Sequence, residues 1–122
     1  MSNFTNATFR DVHAELLRFR DARDWKQFHT PRQLAAALAI EAAEVQQVLL
    51  WKSDEEVQAE MPHARLRDQL GDELADVISF ALLLVGQLGL DPAELVQQKI
   101  RKNAERYPVE KCRGSGKKYS EL

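Results

Sequence analysis

The sequence predicts an all-α fold, a four-helix bundle-like domain. Three observations carry this. Apolar residues recur at helical spacing along most of the chain, no five-residue run alternates as a strand would, and helix start and stop signals divide the sequence into four main segments.

Residues 8–23 place Phe9, Val12, Leu16 and Phe19 at spacings of 3, 4 and 3, which is one helical stripe. Trp25, Phe28 and His29 follow in a short connector. Thr30-Pro31-Arg32-Gln33 is a strong start signal: Thr30 caps, Pro31 suits the first turn and Gln33 completes a capping box. This helix is expected to reach about Trp51. Ser53-Asp54-Glu55-Glu56 reads as a second start, opening a short helix or ordered loop up to Met61. Pro62 opens a long helix expected to run through about Gln87 and close near Gly86 and Gly89. Asp91-Pro92-Ala93-Glu94 repeats the capping logic for a helix to about Arg106. Pro108 then stops it, because proline lacks the amide proton and clashes with the preceding turn. The following GSGKKYSEL reads as flexible. The expected organisation is therefore one domain over 1–108 and a basic, flexible tail over 109–122.

The chain has 122 residues, enough for one domain with a modest core. With 17 basic and 19 acidic residues its net charge is −2, so the whole chain is not a basic nucleic-acid binder. The charge is unevenly placed, at −7 over residues 1–98 and +6 over Lys99–Lys118. The single cysteine, Cys112, cannot form an internal disulfide, which fits a reducing compartment. The N-terminus lacks the pattern of a signal peptide, and the longest apolar run, Phe80–Val85, is far short of a membrane span. A cytoplasmic protein with no membrane or nucleic-acid partner is expected. Residues 77–85, VISFALLLV, are apolar on every side of a helix except at Ser79. A helix of that kind needs burial on more than one face, which predicts a homo-oligomer, a dimer or tetramer.

Two acidic pairs stand out by their neighbours. Glu41/Glu44 and Glu73/Asp76 are each three apart, on one helix face. Glu41 falls in the stripe Leu34, Leu38, Val45, Val48, and Glu73 in the stripe Leu66, Leu70, Val77, Leu84. Both stand where a core leucine belongs. A carboxylate in an apolar setting costs several kcal/mol unless it is paired or binds a cation. One reading has them solvated at a rim or paired with arginines such as Arg32 or Arg65. A di-iron site would want Glu-x-x-His pairs, which this sequence lacks. An all-oxygen set suits Mg²⁺, with Mn²⁺ as a substitute, and Mg²⁺ commonly shares its shell with substrate phosphates.

Glu41-x-x-Glu44, a spacer of 28 residues and Glu73-x-x-Asp76 resemble the signature of the all-α MazG-like nucleoside triphosphate pyrophosphohydrolases. Arg23-Asp24-Trp25-Lys26-Gln27-Phe28-His29 with Pro31-Arg32, then Leu50-Trp51-Lys52-Ser53, then Lys99-Ile100-Arg101-Lys102-Asn103 and Arg106-Tyr107-Pro108-Val109 resemble segments of the dCTP pyrophosphatase branch. The resemblance implies an oligomeric all-α enzyme that hydrolyses dCTP or a modified dCTP to the monophosphate and pyrophosphate. It implies that Glu41, Glu44, Glu73 and Asp76 hold Mg²⁺, with Glu41 or Glu44 taking the proton of the attacking water. It also implies that Trp25 and Trp51 line the base pocket with His29 close by, and that Lys99, Asn103 and Tyr107 contact substrate.

Two departures bear on specificity. Phe80 replaces a tyrosine at its position, and Leu16, not His13, stands at the place of an N-terminal histidine. The same reaction on dUTP or on a broad range of dNTPs is therefore the alternative, and a non-catalytic helical oligomerisation module the second. His63 reads as a surface residue, Cys112 has no assigned role, and Lys117 and Lys118 read as tail charges.

Overall fold

The computed structural model describes residues 4–122. Six α-helices run in order: α1 (Phe9–Asp21), α2 (Pro31–Leu49), α3 (Asp54–Glu60), α4 (Ala64–Gln87), α5 (Pro92–Arg106) and α6 (Val109–Cys112). Short 3₁₀ turns occupy Lys26–Phe28 and Tyr119–Glu121. Among the described residues there is no strand, in agreement with the all-α expectation. The chain divides into two compact units, one ending at Gly89 and one spanning Leu90–Leu122.

Helix starts follow side-chain chemistry. At α1, Thr8 and Asp11 form a full capping box: the Asp11 amide donates to Thr8 Oγ1 (3.2 Å) and the Thr8 amide to Asp11 Oδ2 (2.8 Å). At α2, Thr30 accepts from the Gln33 amide at 3.3 Å with Pro31 in the first turn, but the Gln33 side chain does not return the bond. Ser53 caps α3 and Asp91 caps α5 in the same way.

Two boundaries differ from expectation. α2 stops at Leu49, because Leu50 is extended and Trp51 adopts a left-handed backbone (φ 65°) that cannot continue the helix. α4 starts at Ala64, because His63 holds extended backbone (φ −87°, ψ 139°), leaving Pro62 outside the helix.

In the first unit, α4 packs along α2 and against α1. Leu34 from α2 and Leu66, Leu82 and Leu83 from α4 form the buried core, and Leu34 is only 1 % exposed. Gly86 permits the α1–α4 approach: a Cβ there would lie 2.2 Å from His13 Nε2. His13 is thus a packing residue. An ion pair between Lys52 and Glu60 (3.0 Å) ties the end of α2 to α3. In the second unit, the segment expected to be flexible carries α6 and the Tyr119 turn. The Tyr119 ring meets Tyr107 edge-on (centroids 6.0 Å apart), with the Arg106 guanidinium 4.9 Å from its centroid. The Cys112 thiol donates to the Pro108 carbonyl at 2.8 Å. Among the described residues, no single helix is long and apolar enough to cross a membrane.

Candidate functional site

The i, i+3 spacing places Glu41 and Glu44 on one face of α2, and Glu73 and Asp76 on one face of α4. Packing of α2 along α4 turns these faces together. Carboxylate oxygens of Glu41, Glu73 and Asp76 all lie within 4.8 Å of one another. Glu44, one turn along α2 from Glu41, is near enough for its carboxyl to raise both Glu41 and Glu73, but it is not among the three whose oxygens converge.

The electrostatics follow from the crowding. Burial pushes the Glu41 carboxyl up from its ordinary 4.5 to about 7, helped by Glu44 and by the charges of Asp76 and Glu73. Contact with Glu44 is the main cause that raises Glu73, with burial next. Glu41 Oε2 is buried and has no hydrogen-bond partner. An acceptor without a donor, inside a cluster of four carboxylates, is the arrangement a cation satisfies. The donor set is all oxygen, which fits a hard divalent ion. Among the described residues no arginine pairs with these carboxylates: the ion pairs are Arg20–Asp21 and Lys52–Glu60. Glu41, Glu44 and Glu73 are half-buried and Asp76 is exposed, so the cluster opens to solvent on the Asp76 side.

A cavity of about 310 Å³ borders the cluster through Asp76. α1 supplies Leu16, Phe19 and Arg20, the connector Trp25 and His29, and α4 Ser79, Phe80 and Leu83. Trp25 meets Phe19 edge-on at 5.8 Å, and the Arg23 guanidinium covers the Phe19 ring at 3.6 Å. The Trp25 amide donates back to the Arg20 carbonyl at 3.1 Å, which folds the connector over the end of α1. His29 is half-buried, with its imidazole held below the ordinary value by burial and then by Arg20. Its Nδ1 is buried without a partner, and its carbonyl accepts from the Gln87 side-chain amide.

The structure therefore brings together Trp25, His29, Asp76 and, through Asp76, the other three carboxylates. Trp51 is not in the cavity wall; it is 91 % exposed at the end of α2. Lys99, Asn103 and Tyr107 lie in the second unit. Lys99 and Asn103 are one turn apart on α5, exposed and half-buried respectively, and Tyr107 ends that helix. Leu16 and Phe80, the two departures seen in the sequence, are both in the cavity wall. Sequence reasoning missed Arg20 and Ser79. Arg20 sits four after Leu16, on the same helical face, and that spacing was the available signal.

Comparison with known proteins agrees with the all-helical fold. Residues 36–122 match the MazG-like family. The chain is 39 % identical over 113 residues to dCTP pyrophosphatase 1 of Bos taurus and of Mus musculus, and 38 % identical to that of Homo sapiens. These matches cover 93 % of this chain and 65 % of the relatives, so the chain spans about two thirds of their length. Among solved structures, a pyrophosphatase from Archaeoglobus fulgidus DSM 4304 superposes with a TM-score of 0.74 at 31 % identity, covering 88 % of this chain and 99 % of that one.

Proposed function

The chain belongs to the MazG-like family, and from that premise we propose that it is an Mg²⁺-dependent nucleoside triphosphate pyrophosphohydrolase. Its substrate would be dCTP or a modified dCTP, cleaved to dCMP and pyrophosphate as nucleotide-pool sanitation in the cytoplasm. The observation that carries this is the convergence of Glu41, Glu73 and Asp76, with Glu41 Oε2 buried and unpartnered, at the edge of a cavity walled by Trp25. The names of the 38–39 % identical relatives support the choice of substrate.

Glu41, Glu44, Glu73 and Asp76 would hold the metal, with Mn²⁺ as a possible substitute for Mg²⁺. When bound, such an ion neutralises charge at the α-phosphate and on the departing pyrophosphate and acidifies water. A carboxylate oxygen of Glu41 or Glu44 takes the proton of the attacking water. Trp25 offers its face to the base, a contact worth about 1–3 kcal/mol. His29 backs the pocket. Lys99 supplies a compact cation for a phosphate oxygen, Asn103 a donor and acceptor for the base or sugar, and Tyr107 a hydroxyl. Trp51 is too exposed to serve as a pocket wall within its own protomer, so its base-lining role requires a second copy. A dimer or tetramer is accordingly part of this reading. Residues 1–108 would carry the chemistry, with 109–122 as a basic appendage.

The test is a panel of common dNTPs and NTPs, with 5-methyl-dCTP and dUTP, in Mg²⁺, reading monophosphate and pyrophosphate separately. Pyrophosphate release from dCTP is expected; orthophosphate as the sole product rejects the reaction. Glu41→Gln, Glu44→Gln, Glu73→Gln and Asp76→Asn should each lower turnover by at least about 100-fold with the helical signal retained. Because Leu16 and Phe80 bring no hydrogen-bonding group to the cavity, cleavage of dUTP or of a broad range of dNTPs is the second reading.

A further inference from the structure

Arg20 is 9 % exposed and lines the cavity beside Trp25 and Asp76. A buried guanidinium carries five N–H donors, each needing an acceptor or water. Its Nε donates to Asp21 Oδ1 at 2.8 Å, and Nη2 lies 2.8 Å from the same oxygen. That one carboxylate oxygen occupies the side-on edge of the fork and fixes its orientation. The end-on edge, Nη1 with the second proton of Nη2, meets no protein acceptor among the described residues. Asp76, the one acidic residue in the lining of this cavity, belongs to the carboxylate cluster. A rigid fork with a spare pair of parallel donors, held beside an aromatic face, is built to receive two adjacent acceptors on a flat ligand.

We infer that Arg20 is a specificity-determining residue that reads the O2/N3 acceptor pair of a cytosine base stacked on Trp25. The inference rests on the reading of this chain as a dCTP pyrophosphohydrolase and names the contact that selects the base. Cytosine places two acceptors side by side at O2 and N3, matching the fork. Uracil and thymine place an N3–H donor there, which opposes an N–H donor of Arg20 and leaves it unpaired in the cavity. A 5-methyl group lies on the opposite side of the ring and does not disturb the pair.

The experiment uses the full chain and its Arg20→Met and Arg20→Lys variants, with Mg²⁺ and four substrates: dCTP, 3-deaza-dCTP, dUTP and dGTP. Pyrophosphate release gives kcat/KM for each. The wild-type protein should favour dCTP over both 3-deaza-dCTP, which has C–H in place of N3, and dUTP by about 10–100-fold. In Arg20→Met these preferences should fall to within about threefold, because all three pyrimidines lose the O2 contact but dCTP alone loses the N3 contact; this is the non-additivity of a true pair. Arg20→Lys keeps the charge but not the fork, and should recover only part of the preference.

Several results overturn the inference while leaving the reaction standing. These are equal use of dCTP and 3-deaza-dCTP by the wild type, a uniform drop on all four substrates in Arg20→Met, and a preference for dGTP that Arg20→Met removes. The first of these needs no variant, so it decides the matter even if Arg20→Met fails to fold. Failure of the wild type to release pyrophosphate from any nucleotide overturns the underlying reading and the inference together.

Discussion

At the scale of single residues, Glu41 carries the most unusual physics. In the unfolded chain it titrates near 4.5, and in the folded chain near 7. A raised acid favours folding while it is protonated, and that contribution is lost as pH rises from about 4.5 through about 7. The metal-free protein should therefore melt at lower temperature at about pH 8 than at about pH 5. A divalent cation reverses the sign, because its ligands bind it deprotonated. Added Mg²⁺ should raise the melting temperature more at the higher pH, and Glu41→Gln should flatten both dependences. Thermal melts with chelator and with Mg²⁺ check this. A metal-free protein equally stable at both pH values removes Glu41 from the crowded carboxylate environment. Trp51 is a second residue whose backbone is informative: a left-handed φ at a bulky residue costs about 1–2 kcal/mol. The chain ends α2 at that cost and presents an indole that is 91 % exposed.

At the scale of elements, α2 is set by its cap and by one buried anchor. Thr30 satisfies the Gln33 amide, one of the unpaired donors of the first turn. Thr30→Ala should destabilise the fold by about 1 kcal/mol, read by denaturant titration. Leu34, at 1 % exposure, joins α2 to the core residues of α4. Leu34→Ala should cost about 2–5 kcal/mol, and the spread reflects how far the cavity can collapse. Because α2 and α4 also carry the four carboxylates, the same variant should weaken the Mg²⁺-induced rise in melting temperature. A loss of stability with the Mg²⁺ effect unchanged argues that the site does not depend on this packing. Much of this scale is legible in sequence. Thr30-Pro31, Ser53 and Asp91-Pro92 mark helix starts through local hydrogen bonding alone. The end of α2 is not legible, because nothing local forbids helix at Leu50.

At the scale of the molecule, the first unit leaves large apolar side chains uncovered. Ile40 on α2 is 60 % exposed, and Leu74 and Ile78, one turn apart on α4, are 46 % and 51 % exposed. The segment around residues 77–85 thus divides: Leu82 and Leu83 enter the core while Ile78 faces outward. Covering a half-exposed isoleucine in a partner contributes on the order of 1 kcal/mol, and several on neighbouring turns make a continuous face. Sedimentation should therefore show a dimer or tetramer. Ile78→Asp should shift it toward monomer with helical content retained, because a carboxylate buried at an interface is costly. A monomeric wild-type protein would sink this assembly.

The sequence by itself determined the all-α class, most helix starts and the four carboxylates, because caps, stripes and i, i+3 spacing are local consequences of helix geometry. Glu41 and Glu73 were visible as acids in leucine positions. Only the tertiary structure decided that the two pairs face each other, since sequence spacing says nothing about which helices pack. It also decided that Arg20, in the last turn of α1, is buried in a cavity wall. That burial arises from α1 lying on α4 and from Trp25 folding back over the helix end. It likewise separated Trp51 from Trp25, because α2 ends with Trp51 exposed and outside the cavity wall that Trp25 lines.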